Sequence, residues 1–215
     1  MRVRGKDTPD QQEERGFFTK KRLNRKFYNR STLKIARELL GKYLVVEKGG
    51  NYVSGKIVET EAYVGKNDPA SHAYRGLTSR NKVMFGDPGY AYVYFTYGMH
   101  HCLNFVTERY GFPAATLIRA LEPTDGIEIM TETRLGKRRR KTGDLKNLTN
   151  GPAKLCQALG IDRTLNGADL CSDIIYIEDR GNRPTKIAST SRIGVKEGKD
   201  KKWRFYIDNN KFVSK

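Results

Sequence analysis

Short apolar runs that alternate with polar residues dominate the chain from about residue 29 onward, and this pattern predicts β-strands. The runs lie at residues 42–47, 52–64, 90–106 (two strands about a turn near Gly98), 114–123 (closed by Pro123), 174–179 and 203–209. Residues 1–20 are polar, and their apolar positions show neither the helical nor the strand period. We therefore expect a tail without regular structure.

Three segments instead carry the signals of short helices, at residues 31–40, 125–135 and 150–160. Asp125 and Glu128 form a partial capping box at the start of the second. Pro152 near the start of the third and Gly160 just past its end are the asymmetry that a short helix favours. A long loop rich in Gly, Pro, Asn and Ser covers residues 65–89. These elements together predict one domain of mixed α/β or α+β class.

The strand "IVETEAYV" at residues 57–64 contains two carboxylates. Strict alternation puts Ile57, Glu59, Glu61 and Tyr63 on one face and Val58, Thr60, Ala62 and Val64 on the other. The carboxylates would then be about 6–7 Å apart. Since an unpaired buried carboxylate is very costly, that face is solvated, ion-paired, or the floor of a site.

Four tyrosines, Tyr90, Tyr92, Tyr94 and Tyr97, fall within eight residues of the predicted hairpin. Aromatic side chains on a basic scaffold suit the stacking of nucleic-acid bases, and one at a hairpin tip can wedge between base steps. Strands favour tyrosine in any case, so a structural role stays open.

Other polar residues interrupt the apolar strands. Arg119 stands in "LIRAL" and needs a carboxylate partner, for which Glu59, Glu61 and Glu122 are the candidates. Asn104 is similarly placed in "CLNFV". The three histidines lack the spacing of metal ligands, and the three cysteines form no CxxC pair, so we expect no metal site.

The net charge of the chain indicates which class of molecule it binds. The 215 residues include 41 Lys and Arg against 24 Asp and Glu, a formal net charge of +17. Such an excess favours a polyanion, most economically nucleic acid, although many small proteins are basic for solubility alone. No apolar run approaches the roughly 20 residues of a membrane span, and the basic N-terminus lacks the apolar segment of a secretory signal.

Six blocks of sequence resemble the alkyladenine (3-methyladenine) DNA glycosylase family in order and spacing, over about residues 22–213. They are "GKIVETEAYVG" (55–65), "SHAYRG" (71–76), "SRN" (79–81), "YAYVYFTYGMHHCLN" (90–104), "LIRALEP" (117–123) and "GPAKLCQALGID" (151–162). The resemblance implies a single compact α+β (mixed α/β) domain over 22–215, after a disordered tail over 1–21. Its sheet would be curved and mostly antiparallel, with flanking helices and a protruding β-hairpin that enters DNA.

The same resemblance assigns the chemistry. It implies that Glu61 activates the attacking water and that Arg119 helps to hold this water. The chain has no lysine at the nucleophile position, so a lyase step is not expected. The implied reaction is hydrolysis of the bond between a damaged purine and its sugar, without a cofactor.

The remaining site residues are also implied by the resemblance. Tyr63, His72 and Tyr94 would wall the pocket for the flipped base, and Asn104 would screen purines by clashing with the exocyclic amine of guanine. Tyr97 would fill the gap that the flipped nucleotide leaves in the duplex.

The implied partner is double-stranded DNA with damaged purines, bound by a monomer away from membranes. The implied location is the nucleoid of a prokaryotic cytoplasm or a eukaryotic nucleus. The residues alone leave two other classes open. One is a DNA- or RNA-binding module without catalysis, and the other is a carbohydrate hydrolase that uses Glu59 and Glu61 as acid and base.

Overall fold

The strands of the fold share one sheet. The computed structural model describes residues 21–96, 98–136 and 145–214. Within them nine strands pair, all antiparallel, in the order β1-β7-β2-β3-β6-β5-β4, with β9 beside β3 and β8 beside β9. The strands are β1 Lys21–Arg22, β2 Tyr43–Lys48, β3 Asn51–Val64, β4 Ala91–Thr96, β5 His100–Thr107, β6 Ala114–Asp125, β7 Ile175–Asp179, β8 Ile187–Thr190 and β9 Arg204–Ile207.

In the described parts of the chain, four short helices flank this sheet: α1 Arg25–Tyr28, α2 Thr32–Glu38, α3 Ile127–Leu135 and α4 Pro152–Leu159. The main apolar core includes Ile35 from α2, Ile57 from β3, Ile118 from β6 and Leu155 from α4, all without solvent exposure. None of the helices in the described part of the chain is long and apolar enough to cross a membrane. The expected α+β class with a mostly antiparallel sheet is confirmed.

Strand β3 is the centre of the sheet. It pairs with β6 along most of its length, while its other edge pairs with β2 over residues 51–56 and with β9 over residues 59–61. Its pairing register with β6 shifts on both sides of Glu59. Each shift is a β-bulge, which re-aims the side chains next to it.

Because of these bulges, the side chains of β3 do not alternate between the two faces of the sheet as predicted. Ile57 belongs to the main core together with Ala62, whereas Val58 packs with Ala120 and Phe212 in a separate cluster. A strand without a bulge would keep Ile57 and Ala62 on opposite faces. Strict alternation therefore fails at residues 57–58, because the extra residue reverses the faces.

The start of α3 also differs from the prediction. Strand β6 passes Pro123 and ends at Asp125, and Gly126, with φ +70°, is the N-cap of α3. Asp125 is therefore not the N-cap of α3, and its carboxylate accepts a hydrogen bond from Arg180 at 2.8 Å. Proline is tolerated here because the register with β3 shifts beside it, where a ladder hydrogen bond is already lost.

Several short elements gave no sequence signal. Helix α1 and strands β1 and β8 have at most four residues each, too few for a period to show. The predicted long loop contains two 3₁₀ turns, Gly65–Asn67 and Lys82–Phe85. Strands β4 and β5 pair from Ala91↔Phe105 to Thr96↔His100, and the insertion of this pair into DNA stays a prediction.

Candidate active site

Glu59 is enclosed by hydrogen-bond donors. Its Oε1 accepts from Arg119 Nε at 3.0 Å, Arg204 Nε at 2.6 Å and Ser214 Oγ at 2.9 Å, and its Oε2 accepts from the Ser214 amide at 2.7 Å. The side chain has no solvent exposure. The prediction that Glu59 is paired is confirmed, its supporting role stays a prediction, and neither Glu59 nor Glu61 is among the residues that line the cavity described below.

Glu61 is equally buried but more sparsely bonded. Its Oε1 accepts from the Ile193 amide at 2.8 Å and lies 3.3 Å from Arg119 Nη1, and its Oε2 accepts from the Tyr63 hydroxyl at 2.8 Å. A carboxylate oxygen has two acceptor positions. Among the described residues, Oε2 thus has one hydrogen-bond partner and one acceptor position without a partner.

The groups that contact Glu61 keep fixed charge states. Burial, followed by the charge of Glu61, raises the pKa of Tyr63 far above its ordinary value, so the phenol stays protonated and donates. Burial disfavours the guanidinium of Arg119, but Glu61 and then Glu59 outweigh that effect and raise its pKa. One cation therefore faces two carboxylates, which satisfies the partner requirement predicted for Arg119.

A cavity of about 460 Å³ opens in front of this cluster. Rings from Tyr63, His72 and Tyr94 line it, together with Asn104 and Arg119. Other lining residues are Pro69, Ala70, Met84, Tyr92, Thr96, Cys102, Ala115, Leu117, Pro152, Ile193, Gly194, Val195, Lys196 and Glu197. Aromatic walls with a few converging polar groups are typical of a ligand site, and the volume is in the usual range.

The ring wall is held by hydrogen bonds and edge contacts. His72 and Tyr94 meet edge to face with centroids 4.5 Å apart, and His72 Nδ1 lies 3.0 Å from the Tyr92 hydroxyl. Burial raises the pKa of Tyr92 to about 12, and the charge of Arg80 opposes this rise. Tyr92 is therefore a protonated phenol within hydrogen-bond distance of Nδ1.

The neighbouring strands β5 and β6 supply a further part of the cavity wall. Asn104, on β5, donates from Nδ2 to the Tyr92 carbonyl at 3.2 Å and pairs in register with Leu117 of β6. Burial, and secondarily Cys102, raises the pKa of Tyr94, so this phenol is also neutral.

Six of the seven predicted site residues are thus brought together: Glu61, Arg119, Tyr63, His72, Tyr94 and Asn104. The seventh, Tyr97, lies outside the described residues, as does most of the basic segment at 136–141.

Sequence reasoning missed the loop that completes the site. Ile193 binds Glu61 through its backbone amide, and Glu197 brings a second carboxylate to the cavity. Asp68 and Arg192 form a buried ion pair next to both. A backbone amide has no side-chain signature, and the two charges are 124 positions apart. No local pattern could have revealed them.

These features are typical of an enzyme that binds a flat ring system and activates water beside it. The sequence profile of the methylpurine-DNA glycosylase (MPG) family matches residues 26–211. The chain belongs to this family, and it is a DNA glycosylase, a hydrolase of N-glycosyl bonds in DNA repair.

Three relatives named "Putative 3-methyladenine DNA glycosylase" illustrate the similarity. The one from Carboxydothermus hydrogenoformans is 54% identical over 195 residues, which cover 90% of this chain and 98% of the relative. The one from Methanocella arvoryzae is 52% identical over 197 residues, 90% of this chain and 96% of the relative. The one from Desulfitobacterium hafniense is 48% identical over 200 residues, 90% and 98% respectively.

Proposed function

We propose that this enzyme acts on double-stranded DNA and excises alkylated or deaminated purines, the class of 3-methyladenine, 7-methylguanine, hypoxanthine and ethenoadenine. It acts as a monomer without a cofactor. A base inside a duplex is unreachable, so the damaged nucleotide is flipped into the cavity. The observation that carries the proposal is the position of Glu61, buried directly behind an aromatic cavity and held by three groups that line it.

In this proposal Glu61 is the general base. A water at Oε2, opposite the Tyr63 hydroxyl, attacks the sugar carbon as the glycosidic bond breaks. The electron pair of that bond leaves with the base nitrogen, and the proton of water passes to Glu61. The carboxylate also stabilises the positive charge that develops on the sugar. Arg119, 3.3 Å from Oε1, holds the carboxylate and the water in place.

The cavity walls suit a damaged purine. A purine alkylated at N3 or N7 carries positive charge and stacks favourably on the rings of Tyr63, His72 and Tyr94. It also leaves without a proton donor, whereas hypoxanthine needs one. Burial, followed by the charge of Arg80, lowers the pKa of His72 to about 4, so little of its imidazole is protonated at neutral pH. We therefore expect cationic lesions to be released fastest.

Two further residues complete the proposed recognition. Asn104, held by its bond to the Tyr92 carbonyl, screens purines through a clash with the exocyclic amine of guanine, so among lesions of equal charge guanines should be released more slowly than adenines. Tyr97 fills the gap in the duplex, close in sequence to the last residue of β4.

The variant Glu61→Gln tests the proposal. It keeps the size of the side chain but removes the base, so release of free base should fall at least about 1,000-fold. Binding to the lesion duplex should change little. The measurement is single-turnover formation of abasic sites in duplexes with hypoxanthine or ethenoadenine, and release of methylated purines from alkylated DNA.

Glu197→Gln is the matched control. Glu197 is a second carboxylate at the same cavity, but it is exposed and forms no contact with Arg119 or Tyr63 among the described residues. This variant should keep base release within about threefold. Base release by Glu61→Gln at the normal rate would refute the mechanism. Lesion binding without any release by the unaltered protein would support a non-catalytic module instead.

A further inference from the structure

Asp68 and Arg192 form a bidentate ion pair beneath the cavity. Arg192 Nη1 lies 2.5 Å from Oδ2 of Asp68, and Nη2 lies 2.7 Å from Oδ1. Neither side chain has any solvent exposure. Since burying two charges costs free energy that their attraction barely repays, such a pair is weak evidence for stability alone.

Asp68 orders the loop that carries one cavity wall. Its carboxylate accepts from the backbone amides of Val64 at 3.3 Å and Ala70 at 3.2 Å. Pro69 and Ala70 line the cavity, and His72 follows two residues later. The acidic half of the pair is therefore fastened to the His72 side of the site.

Arg192 is fastened to the Glu61 side. Its Nη1 donates to the Ala62 carbonyl at 3.0 Å, and its guanidinium lies over the ring of Tyr63, 4.7 Å from the centroid. The same guanidinium also lies over the ring of Trp203, 5.2 Å from its centroid. The next residue, Ile193, donates its amide to Glu61.

We propose that Arg192, locked by Asp68, is a positioning residue that sets the hydrogen bonds of Glu61. Among the described residues three groups contact the Glu61 carboxylate, and Arg192 places two of them, the Tyr63 hydroxyl through its ring and the Ile193 amide through the chain. Arg192 touches neither water nor substrate in this role. The inference rests on the proposed role of Glu61.

Arg192→Lys tests the role with the charge retained. Lysine has no planar fork, so it cannot bind both oxygens of Asp68 and stack on Tyr63 at once. A displacement near 1 Å at a catalytic group can cost about 100-fold in rate. Single-turnover base release should therefore fall about 10- to 100-fold, while affinity for the lesion duplex stays within about threefold.

A second readout reports the contact itself. In Arg192→Lys, hydrogen exchange of the Ile193 amide should accelerate at least tenfold, while amides in the middle of β6 keep their protection. Unchanged protection at Ile193, or an unchanged rate of base release, would overturn the inference.

The double variant Asp68→Asn/Arg192→Gln separates positioning from stability. It removes both charges together, so no unpaired buried charge remains, and its Tm should recover relative to Asp68→Asn alone. The rate of base release should nevertheless stay at least tenfold below that of the unaltered protein. A double variant with normal base release would show that the pair is only structural.

The matched control is Lys42→Gln/Asp179→Asn, an ion pair at 2.9 Å on the β2–β7 side of the sheet. It should leave base release within about twofold. The two proposals fail separately. Activity in Glu61→Gln would refute the proposed function, whereas inactivity in Glu61→Gln with normal rates in both Arg192 variants would refute only the positioning role.

Discussion

Glu59 and Glu61 have the same side chain, the same strand and the same arginine partner, yet their surroundings give them different chemistry. Three donors surround Oε1 of Glu59 and the Ser214 amide binds Oε2, and of these donors only Arg119 lines the cavity. Within the described part of the chain Glu61 has three contacts, and each comes from a residue of the cavity wall. Among the described residues Oε2 has a single hydrogen-bond partner in each carboxylate, so the two differ in their neighbours rather than in the number of open acceptor positions.

His72 offers a pH-dependent test of the same wall. Its folded pKa is lowered below the ordinary value of about 6.5, by desolvation first and Arg80 second. The associated stability is therefore fully present above about pH 6.5 and is lost as the pH falls towards the folded pKa.

We expect the His72 ring to titrate below pH 6.5 by NMR, and Arg80→Gln to raise that pKa because one cation is removed. A control substitution, Arg109→Gln, should leave the titration unchanged. A His72 pKa at or above 6.5 in the unaltered protein would contradict the neutral ring assigned here.

Among the elements, the junction between β6 and α3 depends most sharply on one glycine. Gly126 has φ +70° and ψ +33°, the left-handed region. A Cβ there would lie 2.5 Å from the Tyr52 carbonyl oxygen and 2.8 Å from Val53 Cγ1. Gly160 has nearly the same backbone, φ +66° and ψ +31°, but a Cβ at that position would meet no heavy atom within 4 Å.

Alanine substitutions at these two glycines separate the cost of backbone strain from the cost of steric crowding. Gly160→Ala should lower the free energy of unfolding by about 1–2 kcal/mol, the cost of a left-handed residue with a Cβ. Gly126→Ala should cost a further 1–3 kcal/mol or so because its Cβ meets backbone. Urea unfolding measures both. Equal losses would show that α3 shifts to accommodate the methyl group.

For the whole molecule, the net charge of +17 and the acidic site answer different needs. Basic residues over the surface attract the phosphates of DNA, whereas in the proposed mechanism Glu61 supplies negative charge where positive charge develops on the sugar. The surface cations do not pair with Glu61, because this carboxylate is buried and its ion-pair partner is the buried Arg119.

Salt dependence measures how many phosphates the surface engages. Log K for duplex DNA should fall with log[salt] by about 0.9 per phosphate contact. Lys196, exposed at the cavity mouth, is one expected contact, so Lys196→Gln should reduce the slope by about 0.9.

Lys48→Gln is the control for this measurement. Lys48 pairs with Asn51 at the far end of β3, about 30 Å from Glu61 at about 3.3 Å per residue. This variant should keep the slope. A flat salt response of the unaltered protein would argue against duplex DNA as the partner.

Much of this protein can be predicted from local sequence. Hydrophobic period predicts the longer strands, Pro152 and Gly160 delimit helix α4, and the six sequence blocks indicate both the family and six residues that do meet in space. These features depend on neighbours within a few positions, so a pattern in the chain can encode them. The charge of the surface is likewise additive along the chain.

Other features arise only when distant segments pack together. The bulges beside Glu59 depend on pairing with β6, and they reversed the faces expected for Ile57 and Val58. The difference between Glu59 and Glu61 comes from Ser214, Arg204 and the Ile193 amide, all more than 130 positions away. Their contact energies depend on three-dimensional distance, which no local period records.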